Sequence, residues 1–153
     1  MKRNFAIAVI AICIPSGSAI AQTTPSAVKL ITAQEAKLPP AVKTELNSRA
    51  GVTRGPKILL VSPVGDANVK APVHLQLKFQ GFGGAKIDLA SVKITYLKDP
   101  LVDLTERLRN ATGAGGVDVL AADIPPGIHK IRVDLQDSNG RPGTAEFAIK
   151  VGE

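Results

Sequence analysis

From residue 57 onward the chain is predicted to be all-β, built as two antiparallel sheets packed face to face from about seven short strands. Three observations point there. Apolar residues alternate with polar ones at period two over successive short stretches. Clusters of Gly, Pro, Asn and Asp separate those stretches. The connections are too short to hold the helical crossovers that a parallel α/β sheet requires. A closed barrel is the alternative reading of the same pattern.

Each strand follows from its own residues. KILLVSP at 57–63 is an apolar run ended by Pro63, and PVGDANVKAP is a turn-rich connection. VHLQLKF sets Val73, Leu75, Leu77 and Phe79 on one face against His74, Gln76 and Lys78 on the other. QGFGGAK is a glycine loop. SVKITYL alternates again, with Val92, Ile94 and Tyr96 opposite Lys93 and Thr95. LVDLT reads as an edge strand, TERLRN as a helical turn capped by Thr105, and VDVLAADI as a further strand. HKIRVDL places Ile131, Val133 and Leu135 opposite Lys130, Arg132 and Asp134. Asn139-Gly140 within DSNGR is a hairpin signal. AEFAIKV then sets Ala145, Phe147, Ile149 and Val151 against Glu146, Ala148 and Lys150.

Residues 22–56 differ in composition and read as an N-terminal extension and linker, partly helical or disordered. Thr32 and Glu35 have capping-box spacing, so a short helix is expected to start there and to stop before Pro39 and Pro40. Between Pro40 and Gly51 a second helix would carry only a thin apolar stripe of Val42, Leu46 and Ala50. RAGVTRGPK reads as a linker.

The first 21 residues read as an export signal. Lys2 and Arg3 precede an apolar run from Phe5 to Ile14, a Pro-Ser-Gly-Ser break follows, and Ala19-Ile20-Ala21 offers a cleavage site before Gln22. The expected location is therefore periplasmic or secreted, with no transmembrane segment after cleavage. The single cysteine, Cys13, lies inside the signal. Ile12 before it is larger than the residue that a lipid-acceptor cysteine follows. Without Cys13 no disulfide and no cysteine nucleophile can form.

Lys and Arg exceed Asp and Glu by six over the whole chain, and Lys2 and Arg3 account for two of these. The remaining charges are mixed rather than blocked, and Phe79, Phe82, Tyr96 and Phe147 are the only aromatics after the signal. Nucleic-acid binding calls for clustered basic residues with interleaved aromatics, so no nucleic-acid partner is expected. The shortage of aromatics also argues against a sugar-stacking surface.

The run from PKILLVSP through APVHLQLKF, GGAKIDLASVKITYL and LAADIPPGIHKIRVDLQDSNGRPGTAEFAIKV resembles a bacterial immunoglobulin-like module over roughly residues 57–152. The resemblance implies an immunoglobulin-like β-sandwich domain at 57–153, without the paired cysteines and core tryptophan of the antibody type. It implies a spacer, a binding platform or an appendage, and fold alone does not choose among them. The expected role is thus a non-enzymatic binding, adapter or structural module of the bacterial cell envelope, its partner a protein or an envelope component. Small periplasmic copper carriers share a P..G..V..P..L.L.F opening, so a copper or zinc carrier is the alternative. Against it, Gln22 stands where those carriers have a histidine.

Candidate site residues are few. His129 shares the parity of Ile131 and Val133 and is expected to be a half-core histidine bonded to a nearby loop, whereas His74 points outward. A metal site needs three or four ligands together, so His74 and His129 are candidates only. Gly83 and Gly84 do not open a helix as a phosphate loop would. Phe82 beside them either tucks over the core edge, the favoured expectation, or is offered to a partner; the expected contact surfaces are the exposed sheet edges and this loop of Phe82, Gly83 and Gly84. Asp137, Asn139, Gly140 and Asp88 are too short a set for an EF-hand calcium loop. Ser62, Ser91 and Ser138 lack a nucleophile motif, and Asp99 and Asp103 fall in an irregular segment. Asn110 begins a glycosylation tripeptide, which the bacterial character of the signal argues against using. No cofactor and no catalytic residue is expected.

Overall fold

A computed structural model describes residues 27–41, 54–64 and 68–152. The expected signal at 1–21 and most of the segment 40–51 lie outside the described residues.

The strand stretches fold as their alternation requires. In chain order the elements are β1 (Val28–Lys29), α1 (Ala33–Lys37), β2 (Lys57–Ser62), β3 (Asn68–Val69), β4 (Val73–Gln80), β5 (Ile87–Tyr96), β6 (Val102–Asp103), α2 (Thr105–Leu108), β7 (Thr112–Gly113), β8 (Gly116–Asp123), β9 (Gly127–Asp137) and β10 (Pro142–Val151). A 3₁₀ turn at Arg109–Ala111 follows α2. The seven strands expected from the sequence are all present, joined by three of two residues each.

Two five-stranded sheets result. The first runs β1-β8-β4-β2, with β7 also on β8, and the second runs β3-β10-β9-β5-β6. All pairs among the long strands are antiparallel, as expected. The two short outer strands β1 and β3 instead pair in parallel with β8 and β10. Alternation carries no information on such two-residue pairings, because so short a strand has no period to show.

The inward faces meet in one core. Val73, Leu75, Leu77 and Phe79 of β4 and Val117 and Val119 of β8 face Ile94, Ile131, Val133 and Ile149 of the second sheet. An interior void of only about 10 Å³ remains between them, so the sandwich is packed like a crystal rather than hollow. Gly116 explains how β8 comes so near β4. Its φ is 143°, and a methyl group there would run into the Leu77 carbonyl. At the β9–β10 hairpin Gly140 adopts φ 73° within the four-residue loop 138–141, where its N–H donates to the Asp137 carbonyl.

The described stretch 27–41 contributes to this core. Leu30 and Ile31 are buried in it, and their backbone N–H groups donate to the Asp123 carbonyl at 3.1 and 3.3 Å. Helix α1 begins with the expected capping box. Glu35 N–H donates to Thr32 Oγ1 at 3.2 Å, and Thr32 N–H donates to Glu35 Oε2 at 2.8 Å. The cap of α2 differs from expectation. Asp103 Oδ1 accepts from Thr105 N–H at 2.8 Å, while Thr105 Oγ1 accepts from Ile94 N–H at 3.0 Å. The hydroxyl ties the helix to β5 instead of capping it.

Candidate functional site

His129 enters β9 on the inward face and is only 2% exposed. Its Nε2 lies 2.8 Å from the Pro125 carbonyl and its Nδ1 lies 2.8 Å from the Tyr96 hydroxyl. A carbonyl can only accept, so Nε2 carries the proton, and Nδ1 accepts from the Tyr96 O–H. Both ring nitrogens are used, which leaves no lone pair for a metal. Burial lowers the pKa of His129 against the opposing Pro125 bond, and nearby Lys98 lowers it further. Burial likewise raises the Tyr96 phenol, with the Glu35 charge adding to it.

Around this pair the N-terminal segment is tied down. Lys98 Nζ donates to the carbonyls of Ala36 at 2.9 Å and Leu38 at 2.7 Å, and sits 5.6 Å from the centre of the Tyr96 ring. A cation there meets the negative end of α1. Arg107 donates through Nη1 to Glu35 Oε2 at 2.9 Å and through Nη2 to Oε1 at 2.6 Å, and also to the Leu30 carbonyl at 2.7 Å. This two-pronged bond, with help from Thr32, holds the Glu35 carboxyl at about 2 although partial burial opposes it. The chemistry around His129 is therefore a fastening.

His74 lies on the opposite kind of surface. It projects from the outer face of the first sheet, where Asp118 Oδ1 accepts from its Nε2 at 2.9 Å and Asp118 Oδ2 accepts from Gln76 Nε2 at 3.2 Å. The Ser62 hydroxyl donates to the His74 carbonyl at 2.8 Å. Beside this trio is an open depression of about 380 Å³ lined by Val61, Gln76, Leu77, Lys78 and Gly115. Leu59 at 43% and Val61 at 40% exposure flank it on β2, and Leu120 is exposed on β8. The geometry can offer a polar centre with apolar margins to a flat ligand surface. His74 and His129 stand on different sheets and opposite faces, so the structure does not bring them together. Among the described residues no three His, Cys, Asp or Glu side chains gather as a metal site.

Phe82, Gly83 and Gly84 form the β4–β5 loop, with Gly83 at φ 62° and Gly84 at φ 81°. Strand β5 follows, not a helix. The expectation that Phe82 tucks over the core edge is corrected: it is 46% exposed and stands apart from the core cluster. Ala85 N–H donates to the Phe82 carbonyl at 3.2 Å and closes the turn that carries it.

The remaining candidates serve the backbone. Asp137 is buried, and its Oδ1 accepts from Asn139 and Arg141 N–H at 2.9 and 3.0 Å, which makes it the cap of its own hairpin. Asp88 Oδ1 accepts from Ala90 N–H at 3.0 Å. Ser91 donates to the Asp88 carbonyl at 2.6 Å and accepts from Gln136 N–H at 2.7 Å, and the Ser138 Oγ accepts from Lys86 N–H at 3.3 Å. Asp99 and Asn110 are exposed. Sequence reasoning missed Asp118, Glu35 with Arg107, and Lys98. Asp118 was legible as an outward position of VDVLAADI, but its neighbours His74 and Gln76 depend on register.

These features define a β-sandwich with a fastened N-terminal segment and one exposed polar–apolar sheet face. Comparison with family models, curated proteins and solved structures gave no match. No described helix is long and apolar enough to cross a membrane.

Proposed function

We propose that the chain is an exported, non-enzymatic immunoglobulin-like binding or adapter module of the bacterial cell envelope, presenting the outer face of its first sheet to a partner. The observation that carries the reading is the gathering of exposed Leu59 and Val61, with Val64 just beyond β2, beside the His74–Asp118–Gln76 trio. Strand order supports the immunoglobulin-like part. The orders β2-β4-β8 and β10-β9-β5 follow the A-B-E and G-F-C orders of that sandwich. The three-part pattern of residues 1–21 supports export.

A photo-crosslinking residue placed at Val61, and separately at Phe82, tests the reading in the intact exporting cell. The expected result is a discrete adduct from Val61 with one envelope component. Absence of adducts from both positions, together with turnover of a substrate by the purified chain, overturns it.

A further inference from the structure

The two ends of the sandwich differ in charge. β2, β5 and β10 begin at one end, where β4 and β9 finish and the β7–β8 turn lies beside Phe79. The stretches there are 54–57, 80–86, 113–116 and 138–141, reading RGPK, QGFGGAK, GAGG and SNGR. They hold Arg54, Lys57, Lys86 and Arg141, all exposed, and no carboxylate. Three acids lie within two residues of them. Asp137 is buried and caps its hairpin, Asp118 pairs with His74 and Gln76, and Asp88 Oδ1 accepts from Ala90 N–H. The opposite end mixes Lys70 and Lys98 with Asp99 and Asp123.

The cationic end is braced across its loops. Ser138 N–H donates to the Lys86 carbonyl at 2.7 Å, and Lys86 N–H donates to Ser138 Oγ at 3.3 Å. Arg141 Nη1 donates to the Arg54 carbonyl at 3.4 Å, and Lys57 stands level with Gln80 at the foot of the glycine loop. Phe82 stands among these cations, 46% exposed and outside the core cluster. Gly83 and Gly84 beside it have open space where a side chain would be, so a flat surface can come against the loop backbone.

We infer that this end rests on an anionic bilayer surface, with Phe82 entering the headgroup layer and Arg54, Lys57, Lys86 and Arg141 meeting lipid phosphates. The mixture of groups selects that partner. Cations alone would suit a dissolved phosphate, but an exposed ring gains nothing from one. Together they match a surface that is anionic outside and apolar just beneath. A nucleic acid calls for several stacking aromatics, and Phe82 is the only aromatic in these stretches. A second copy would bring an equally cationic end, and like charges repel. Each basic residue at such a surface is worth roughly fivefold in binding. One ring and a few charges fall far short of a spanning helix, so the contact is peripheral and reversible.

The chain has no tryptophan, so Phe82→Trp places a single local reporter in the full-length protein. Its emission is expected to move to the blue with phosphatidylglycerol vesicles. Phosphatidylcholine vesicles or millimolar inorganic phosphate should leave it in place. Salt near 1 M, where the screening length falls to about 3 Å, is expected to reverse the shift. Val64→Trp, exposed at the opposite end, should not respond, so attachment through the apolar stretch 5–14 cannot imitate the result. Adding Lys86→Gln and Arg141→Gln should raise the lipid needed for half the shift at least about tenfold. No shift with phosphatidylglycerol, an equal shift with phosphatidylcholine, or an equal response at Val64→Trp overturns the inference. A shift produced by soluble polyglutamate also overturns it and assigns this end to an acidic polypeptide. The outer face of the first sheet takes no part in the contact, so the vesicle result and the Val61 crosslink stand or fall separately.

Discussion

The two histidines divide the molecule into a fastened end and an offered face. Around His129 every polar group is committed: Tyr96 donates to its Nδ1, Pro125 accepts from its Nε2, Lys98 binds two helix carbonyls and Arg107 grips Glu35. Around His74 the same residue types are wet, and their bonds are local to one exposed sheet face. Both regions hold a histidine, an acid and a hydrogen-bonding neighbour. Burial decides what these do. In the interior the groups cost stability if left unpaired, so they hold structure. On the surface the loss of a partner is cheap, which leaves the groups available to a ligand.

Substitutions should separate the two regions sharply. The largest effect is expected from Leu30→Ala, which empties a fully buried position at the fastened end. It should cost about 2–5 kcal/mol in chemical denaturation, whereas Leu120→Ala on the exposed face should stay within about 0.5 kcal/mol. A comparable loss for both would erase the distinction. Next, Tyr96→Phe keeps the ring but strands the His129 Nδ1, at an expected cost of about 1–3 kcal/mol. His74→Ala removes an exposed pair and should barely move the midpoint.

Acid should act in two stages at the fastened end. The folded pKa of His129 lies below its ordinary value of 6.5, so the unfolded chain binds the proton more readily. Its contribution is complete above about pH 6.5 and declines as pH falls through and below that value. Glu35 is held at about 2 against an ordinary 4.5, so its contribution is complete above pH 4.5 and is lost as pH falls toward 2. Stability measured from pH 8 to pH 2 should therefore show a first decline that His129→Gln abolishes and a second that Glu35→Gln abolishes. A profile unchanged by either substitution would sink this account. The smallest effect is expected from metals: calorimetry with copper or zinc should find no binding tighter than micromolar, since His74 has one carboxylate for company and His129 has no free nitrogen.

Much of the sandwich was legible because alternation is a local signal. His74, Gln76 and Lys78 opposite Val73, Leu75 and Leu77 could be assigned to faces without knowing any neighbour, and the burial along β4 follows that assignment. The inward parity of His129 was legible in the same way, as was the Thr32–Glu35 cap. What was hidden depends on distance along the chain. Arg107 reaches Glu35 across 72 residues, and Asp118 reaches His74 across 44. The two parallel edges were hidden too, since strands of two residues show no periodicity. Phe82 was misjudged because it lies in a glycine loop with two positive-φ residues, where hydrophobicity alone does not decide burial.

The fastened segment also sets a timetable. The ribosome delivers Leu30 before every strand of the sandwich but β1, yet its carbonyl waits for Arg107, 77 residues later, and its N–H waits for Asp123. The first described part of the chain to be made is thus among the last to be seated. Until β8 arrives, Leu30 and Ile31 remain an apolar tail without a socket. A chain that stalls before β8 is complete would carry that tail exposed, which marks it for a chaperone or a protease as unfinished.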